Sequence, residues 1–388
     1  MVAARRDYHS SHPWIDFVFD TNLIQSEAWL QLGQIQAKCK QISGIPLLPS
    51  VAADLHEVYL AKGVLATTAI EGNTLTEDEV KLLLQGKLDL PPSKQYLKQE
   101  IENILEAANG ITQRIINGAD GQLTPADIMA YNRLVQKDLP LKDEIIPGQY
   151  RRHDVWVGTY KGVPPEDVPF LVSRLCDWLN SWPSTGHLKS ALSVLKAIVA
   201  HVYVAWIHPF ADGNGRTARL IELQVLLADG FPTPAAHLLS NHYNQTRSEY
   251  YRFLSIASQQ AGGIYQFVNY ALQGFVDNLD DQIKHIEAQQ LTVHWESYVL
   301  SRFRNKDSKT ENRRRRLVMD LSHQEEPVPL AEIRHISTRI AEAYAGKTDM
   351  AVRRDINKLT NMGLIQKTPA GYKANVEIMR AFLAPKRT

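Results

Sequence analysis

The segment HPFADGNGRTAR, residues 208–219, carries the residue types and spacing most suited to chemistry. Pro209 and the glycine pair Gly213 and Gly215 favour a tight loop after a long apolar helix, and a new helix is expected to begin near Asn214. A glycine-rich loop entering a helix presents backbone N–H groups at the positive end of the helix dipole. The segment therefore predicts an anion site, and phosphate is the commonest occupant of such sites.

Four side chains of this segment suit a phosphate site. Arg216 and Arg219 are three residues apart and can donate charge-assisted hydrogen bonds to phosphate oxygens. Asp212 is a hard oxygen ligand suited to Mg²⁺ on phosphates, and His208 titrates near neutrality, as a general base requires. The loop is not a Walker A loop, because no Gly-Lys-Ser/Thr follows. The competing interpretation is a helix-helix turn beside a buried histidine.

A second stretch, ATTAIEGNTLTEDEV at residues 66–80, places a carboxylate in an unfavourable position. Apolar spacing predicts a helix that stops at Gly72, with Glu71 in its last turn. The helix dipole is negative there, so Glu71 is expected to need a nearby cation. Thr76 and Glu79 predict a capping box for the next helix.

Composition indicates an ordinary globular chain of two or three domains. Of its 388 residues 44% are hydrophobic and 22% charged, and the formal net charge is +1, so no global field indicates nucleic acid or membrane. Cys39 and Cys176 give no disulfide framework, which predicts a reducing, cytoplasmic location. The N-terminus lacks a signal-peptide core, and no run of about 18 apolar residues is apparent, so no membrane partner is expected.

The elements that must position these residues are mostly helices. One β-hairpin is predicted between residues 146 and 165, where GQYRRHDVWVG is bounded by glycine and proline. From residue 302 onward the chain holds 19 Lys and Arg against 10 Asp and Glu. The sequence of this part predicts three helices, in the segments that begin SKTENRRRR, VPLAEIRHIS and TDMAVRRD, followed by two strands. This order is a winged helix-turn-helix pattern.

The basic residues of this last part have two interpretations. The run RRRR at 313–316 is either a solvated helix face or part of a binding surface. DNA contacts are one hypothesis, through Arg353, Arg354 and Lys358 on the third helix and Lys367 or Lys373 on the wing. Binding of a protein target or partner is an equal alternative.

Residues 208–219 resemble the signature of the Fic-domain family, His-x-Phe-x-Asp/Glu-Gly-Asn-Gly-Arg-x-x-Arg, at every fixed position. The resemblance implies an all-α Fic fold with a β-hairpin flap and a C-terminal winged helix-turn-helix domain. It divides the chain into an N-terminal helical region at 1–110, a catalytic core at 111–290 and the winged helix at 302–388.

The resemblance implies a protein adenylyltransferase that transfers AMP from ATP to a Ser, Thr or Tyr hydroxyl of a protein, including itself. His208 would accept the hydroxyl proton and Asp212 would hold Mg²⁺. Phosphate binding is assigned to Gly213, Asn214, Gly215, Arg216 and Arg219.

Three more sites follow from the resemblance. Thr67-x-x-x-Glu71-Gly72 resembles the family's inhibitory motif, which implies that Glu71 pairs with Arg219 and obstructs ATP. An aromatic wall for adenine is expected at Tyr250 and Tyr251, and target docking is expected at flap residues Val155, Trp156 and Val157.

The resemblance leaves other outcomes open. Fic relatives can also remove AMP, which makes a deAMPylating or bifunctional enzyme one alternative and an ATP-sensing DNA-binding regulator another. Gly213 agrees with AMP transfer rather than with the lysine-bearing, kinase-like relatives. Family members commonly associate, so a homodimer is an expectation.

Overall fold

The computed structural model describes residues 6–183, 186–260 and 262–380. By their contacts the residues divide into two units, Met1–Ile283 and Lys284–Thr388. The ends of the predicted domains at 1–5 and 381–388 lie outside the described residues. The three-part division drawn from the sequence stays a prediction.

Helices form almost all of the first unit, as its periodicity predicts. They are α1 (Tyr8–Ser11), α2 (Ser26–Gly44), α3 (Pro49–Ala69), α4 (Glu77–Leu84), α5 (Gln95–Ile116), α6 (Pro125–Val135), α7 (Val168–Asn180), α8 (Lys189–Ile207), α9 (Asn214–Ala228), α10 (Thr233–Ala236), α11 (Leu238–Gln245), α12 (Arg247–Gln259) and the first part of α13 (Gly263–Arg302), whose residues from Lys284 onward belong to the second unit. Short 3-10 turns lie at Thr21–Leu23, Pro92–Lys94 and Pro165–Asp167.

Helix α8 lies at the centre of this unit and packs along α9. It is apolar on all sides, which is typical of a helix surrounded by others. Within the described residues it is also the one helix whose length and mean hydropathy, 1.6, would allow it to cross a membrane, contrary to the expectation that no such run exists. Since 78% of that stretch is buried, packing against neighbouring helices accounts for its composition.

Helix α3 carries the predicted inhibitory stretch and packs against α4, α5, α9 and α11. It ends at Ala69, so Glu71 lies two residues beyond the helix rather than in its last turn. The backbone N–H of Glu71 still donates to the Thr68 carbonyl at 3.0 Å, which keeps the residue close to the negative helix end. Thr76 and Glu79 form the predicted capping box at the start of α4.

The predicted hairpin is present but short. Strand β1 (Trp156–Val157) pairs antiparallel with β2 (Tyr160–Lys161), with Trp156 opposite Lys161. The Gly162 N–H donates to the Val155 carbonyl at 3.0 Å and extends the pairing by one step.

The second unit contains helices α14 (Lys309–Ser322), α15 (Thr338–Tyr344) and α16 (Asp349–Asn361), followed by strands β3 (Ile365–Thr368) and β4 (Gly371–Ala374). The helix predicted at VPLAEIRHIS is wrong: Ile333–His335 is a 3-10 turn, and α15 follows it. Val328 instead exchanges two backbone hydrogen bonds with Tyr372 and lies beside the wing as a bridge. The prolines on either side of Val328 lack an N–H and favour this extended backbone.

The arginine run at the start of α14 is partly structural. Arg313 and Arg314 both bind the buried carboxylate of Asp355 through Nε, at 2.8 and 2.7 Å. The Tyr344 hydroxyl donates to the same carboxylate at 3.0 Å. Arg313 and Arg314, half of the run, therefore join α14 to α16. The arginine run is not a fully solvated helix face.

Candidate active site

The turn between α8 and α9 is closed by one side chain. Asn214 accepts a hydrogen bond from the Phe210 N–H at 2.9 Å and donates to the Phe210 carbonyl at 2.8 Å. Gly213 has a φ of 79°, which favours glycine, and a Cβ there would lie 2.7 Å from Gln136 Nε2. The side chain of Asn214, predicted to bind nucleotide, thus shapes the loop, and the N–H groups of the first turn of α9 have no partner within the helix.

Beside this turn lies a cavity of about 490 Å³ that brings together predicted residues from four parts of the sequence. Its lining includes Glu71, Val157, Tyr160, Trp206, His208, Asn214, Gly215, Tyr250, Tyr251, Leu254, Ser255 and Ser258. Aromatic walls, the histidine at the end of α8, a glycine at the start of α9 and the carboxylate just after α3 therefore face one space. Arg219, Arg216 and Asp212 do not line it.

His208 ends α8 with a φ of 47°, a left-handed conformation that is uncommon for a residue with a side chain. Burial lowers the pKa of its imidazole to about 4, and the nearby Arg151 also disfavours the charged form. The ring is therefore neutral at pH 7. Its Nδ1 lies 3.4 Å from the Ala205 carbonyl, a contact that favours a proton on Nδ1 and leaves Nε2 as the acceptor.

Arg151 is a residue that the sequence analysis missed. Its guanidinium donates to the carbonyls of His208 at 2.7 Å and Val163 at 2.5 Å, and also to those of His153 and Ile207. It therefore joins the hairpin to the turn that carries His208. All four acceptors are backbone carbonyls, so no acidic partner in the sequence could have indicated this role.

The predicted contact between Glu71 and Arg219 is present. Arg219 Nη2 donates to Glu71 Oε1 at 2.5 Å and to the Thr67 carbonyl at 2.9 Å. Burial alone would raise the pKa of the Glu71 carboxyl. The positive charge of Arg219, with smaller contributions from Arg216 and Arg247, outweighs this effect and holds the pKa below its usual value. Glu71 is therefore ionised, and its partner is a fully buried cation.

Arg219 has donors to spare. Among the described residues its Nε and Nη1 atoms are buried without a hydrogen-bond partner. Buried donors without acceptors are costly and rare in folded proteins. An anion with several oxygens, such as a terminal phosphate, would satisfy them.

The two other residues of the inhibitory motif support the geometry around Glu71. Thr67 is buried, and its hydroxyl donates to the Gly63 carbonyl within α3 at 2.9 Å. Gly72 has a φ of 109°, which L side chains rarely adopt. A Cβ on Gly215 would come within 2.2 Å of Glu71 Oε1, so the glycine at the start of α9 makes room for the carboxylate.

Arg216 is directed away from Arg219 and pairs with Asp212. Arg216 and Arg219 were expected to serve one anion, but Arg216 lies 3.4 Å from Glu100 Oε1 and 3.3 Å from Asp212 Oδ2. Glu100 also accepts a hydrogen bond from Asn73 at 2.8 Å. Arg216 is therefore occupied by carboxylates of α5 and of its own loop. The Asp212 side chain remains about half exposed at 47%.

Tyr250 and Tyr251 contribute to the cavity in different ways. Tyr251 is 41% exposed, and its hydroxyl lies 3.4 Å from the Ile70 carbonyl, next to Glu71. Tyr250 is buried, and its hydroxyl lies 2.8 Å from His201 Nε2. The ring of Tyr250, but not its hydroxyl, is thus available to a ligand.

The site lies within a region that matches a known family. Residues 122–226, from α6 through most of α9, match the Fic/DOC family. This part of the chain is a Fic domain. Residues 329–377 match the DeoR-like helix-turn-helix domain, in agreement with the winged-helix prediction.

Curated proteins similar to this chain include the protein adenylyltransferase Fic of Drosophila willistoni, 30% identical over 249 residues, and the protein adenylyltransferase fic-1 of Caenorhabditis elegans, 30% identical over 219 residues. The matches cover 64% and 56% of this chain. The chain spans only 47% and 39% of the length of these relatives.

Solved Fic structures share the fold. A Fic domain containing signaling protein from Bacteroides thetaiotaomicron is 25% identical with a TM-score of 0.54, and the match covers 66% of this chain and 97% of that one. Fic-1 from C. elegans is 22% identical with a TM-score of 0.55, and the match covers 68% of this chain and 74% of that one. The overall fold of the matched region is thus common to all three.

The hairpin of the Fic domain exposes the predicted docking residues. Trp156 is 65% exposed and Val157 43% exposed, whereas Val155 is half-buried. Such exposure argues against a packing role for Trp156, whose ring lies 5.9 Å from Lys161 Nζ. Because Val157 also lines the cavity, this exposed edge is continuous with the site.

Proposed function

We propose that this Fic protein transfers AMP from ATP to a hydroxyl side chain of a protein, itself included, and that Glu71 restrains the reaction. One observation carries the proposal. A neutral His208, the glycine-bounded start of α9 and the Glu71 carboxylate held by Arg219 meet at a single aromatic-walled cavity. Such a site suits a purine nucleotide whose phosphates lie at the helix start.

The reaction would use few groups of the chain. The target oxygen would attack the α-phosphorus of ATP, and His208 Nε2 would take the proton of the attacking hydroxyl. The bond from the α-phosphorus to the bridging oxygen would break, and pyrophosphate would leave. N–H groups at Gly213 to Gly215 would hold the phosphate oxygens, since phosphoryl chemistry depends mainly on positioning and charge neutralisation.

The residues present also fit Mg²⁺. Among the described residues no cluster of three metal-ligating side chains exists, but Mg²⁺ in nucleotide sites commonly takes one or two carboxylates together with phosphates and water. Asp212, half exposed at the loop, is the carboxylate that would hold the ion. The ion would neutralise charge on the phosphates.

Glu71 would act as the inhibitor by occupying Arg219. The γ-phosphate of ATP would compete for that guanidinium, whose remaining donors have no acceptor among the described residues. While the pair persists, ATP would bind without the contact that sets its triphosphate for attack.

Labelled ATP tests the reaction. The Glu71→Gly variant, incubated with Mg²⁺ and ATP labelled at either the α- or the γ-phosphate, is expected to acquire the α-label alone. AMP transfer keeps the α-phosphate and releases the other two. Autoradiography and intact mass measure the outcome, and His208→Ala is the control. Transfer of the γ-label would instead indicate a kinase, and release of AMP from protein already carrying it would indicate the reverse reaction.

A second function, DNA binding by the C-terminal unit, is supported by the surface of α16. Arg353, Arg354 and Lys358 are exposed on this helix, and Lys367 is exposed on the wing. Asp355, which follows Arg354 in sequence, is buried and forms ion pairs with Arg313 and Arg314. The outward face of α16 is thus left cationic, which is what phosphate contacts require.

The double substitution Arg353→Ala and Arg354→Ala is expected to weaken binding of the full chain to a DNA duplex. Each lost phosphate contact should reduce the slope of log affinity against log salt by about 1. Gel shifts over a salt series measure this, with exposed Lys87 and Lys94 changed to alanine as the matched control. Equal slopes in the two double variants would argue against this surface.

A further inference from the structure

A buried acid lies one turn beyond Arg219 on α9. Glu222 is only 1% exposed, and a buried carboxylate is tolerated only with partners. Its Oε1 accepts a hydrogen bond from the Tyr243 hydroxyl at 2.9 Å. Its Oε2 lies 3.1 Å from Nδ1 of His201, which is fully buried. Neither atom makes a hydrogen bond among the described residues, so the 3.1 Å contact between them is an electrostatic one between two buried polar atoms.

The same histidine reaches the cavity wall. His201 Nε2 lies 2.8 Å from the Tyr250 hydroxyl, and the Tyr250 ring lines the cavity. A carboxylate on Nδ1 favours a proton there and leaves Nε2 to accept from tyrosine. Tyr243 stacks on Tyr250 with ring centroids 5.0 Å apart and an interplanar angle of 27°. Glu222 therefore holds Tyr250 twice, through His201 and through Tyr243.

The network lies close to Arg219, whose guanidinium interacts electrostatically with both Tyr250 and Glu222. His201 lies on α8, Glu222 on α9 and Tyr250 on α12. The network thus joins three helices at the Tyr250 side chain. A hydrophobic residue of similar size would fill the same space as Glu222. The choice of a buried acid at this position thus calls for a role beyond packing.

We propose that Glu222 and His201 are positioning residues that hold the Tyr250 ring against the purine of a nucleotide in the cavity. This inference rests on the proposed function for the identity of the ligand. The loss of the network should loosen the ring and weaken nucleotide binding, while the proton transfer at His208 is left intact.

The test uses the full chain in the Glu71→Gly background. Glu222→Gln, which keeps the shape but removes the charge, is expected to raise the KM for ATP about 5- to 20-fold, a partial loss of one stacking contact, with kcat within about twofold. Tyr250→Phe keeps the ring and loses the hydroxyl, so a similar rise is expected. Because both changes break one network, their combination should cost no more than either alone. Glu249→Gln, an exposed acid on α12, is the control and should change neither constant.

Binding of a fluorescent ATP analogue separates this inference from the proposed function. If no AMP transfer occurs in any variant, a rise in Kd for Glu222→Gln still supports the positioning role. An unchanged Kd and KM in both Glu222→Gln and Tyr250→Phe would overturn it, as would effects that add fully. Should Glu222→Gln fail to fold by thermal melt, Tyr250→Phe alone decides.

Discussion

Replacing Glu71 with glycine is expected to raise AMP transfer by about 10- to 150-fold, because a hydrogen bond to a charged group is worth about 1.5–3 kcal/mol. In the structure that bond, from Arg219 to Glu71 at 2.5 Å, occupies the cation that the γ-phosphate would need. Glycine removes the carboxylate and leaves the helices intact. The initial rate of α-label transfer at saturating ATP, compared with the unchanged chain, measures the effect.

The same change should carry a cost in the absence of ATP. Arg219 is fully buried, and removal of its partner leaves an uncompensated charge, which can destabilise a protein by about 3 kcal/mol or more. The melting temperature of the Glu71→Gly variant should therefore fall without ATP and recover with it, since a ligand that binds the folded state stabilises it. Adding Arg219→Ala should abolish both the activation and the recovery. Transfer at the same rate before and after the Glu71 change would remove the inhibitory role.

The parts of this site that could be predicted from sequence are those fixed by local chemistry. The paired glycines and Asn214 dictate a turn and a helix start, because both depend on residues within one or two turns. The need of Glu71 for a cation could also be predicted, from its position near a negative helix end. The identity of that cation could not, since it depends on the packing of α3 against α9.

The missed features all depend on contacts between distant segments. Arg216 and Arg219 share one side of α9 by spacing, yet their long side chains reach different neighbours, Glu100 on α5 and Glu71 after α3. Arg151 binds backbone carbonyls that no residue type reveals. Glu222 was unremarkable in the sequence, because its meaning lies in its burial beside His201. Local sequence pattern thus predicts the loop and helix start of the site, and tertiary packing determines which side chains from distant segments contact it.

Removing the imidazole of His208 is expected to lower AMP transfer by about 10²- to 10⁴-fold, the usual contribution of a general base. Its ring is neutral at pH 7 because burial lowers the pKa to about 4. A base acts only when unprotonated, so activity requires a pH above that value. In the Glu71→Gly background, kcat/KM should therefore stay flat as the pH falls from 8 to about 5, where an imidazole with an ordinary pKa of about 6.5 would already be protonated.

The backbone of His208 dictates the choice of variant. Its φ of 47° disfavours alanine, whereas asparagine adopts this conformation readily, so His208→Asn is the better matched substitution. Both variants should bind a fluorescent ATP analogue about as well as their parent, because the phosphate contacts lie on the following turn and helix. If both the binding of the ATP analogue and the rate of AMP transfer are lost, the role of His208 is to maintain the structure of the turn. Loss of rate with binding kept, in both variants, would leave proton acceptance as its role, because the neutral ring with a free Nε2 is the feature that the two substitutions both remove.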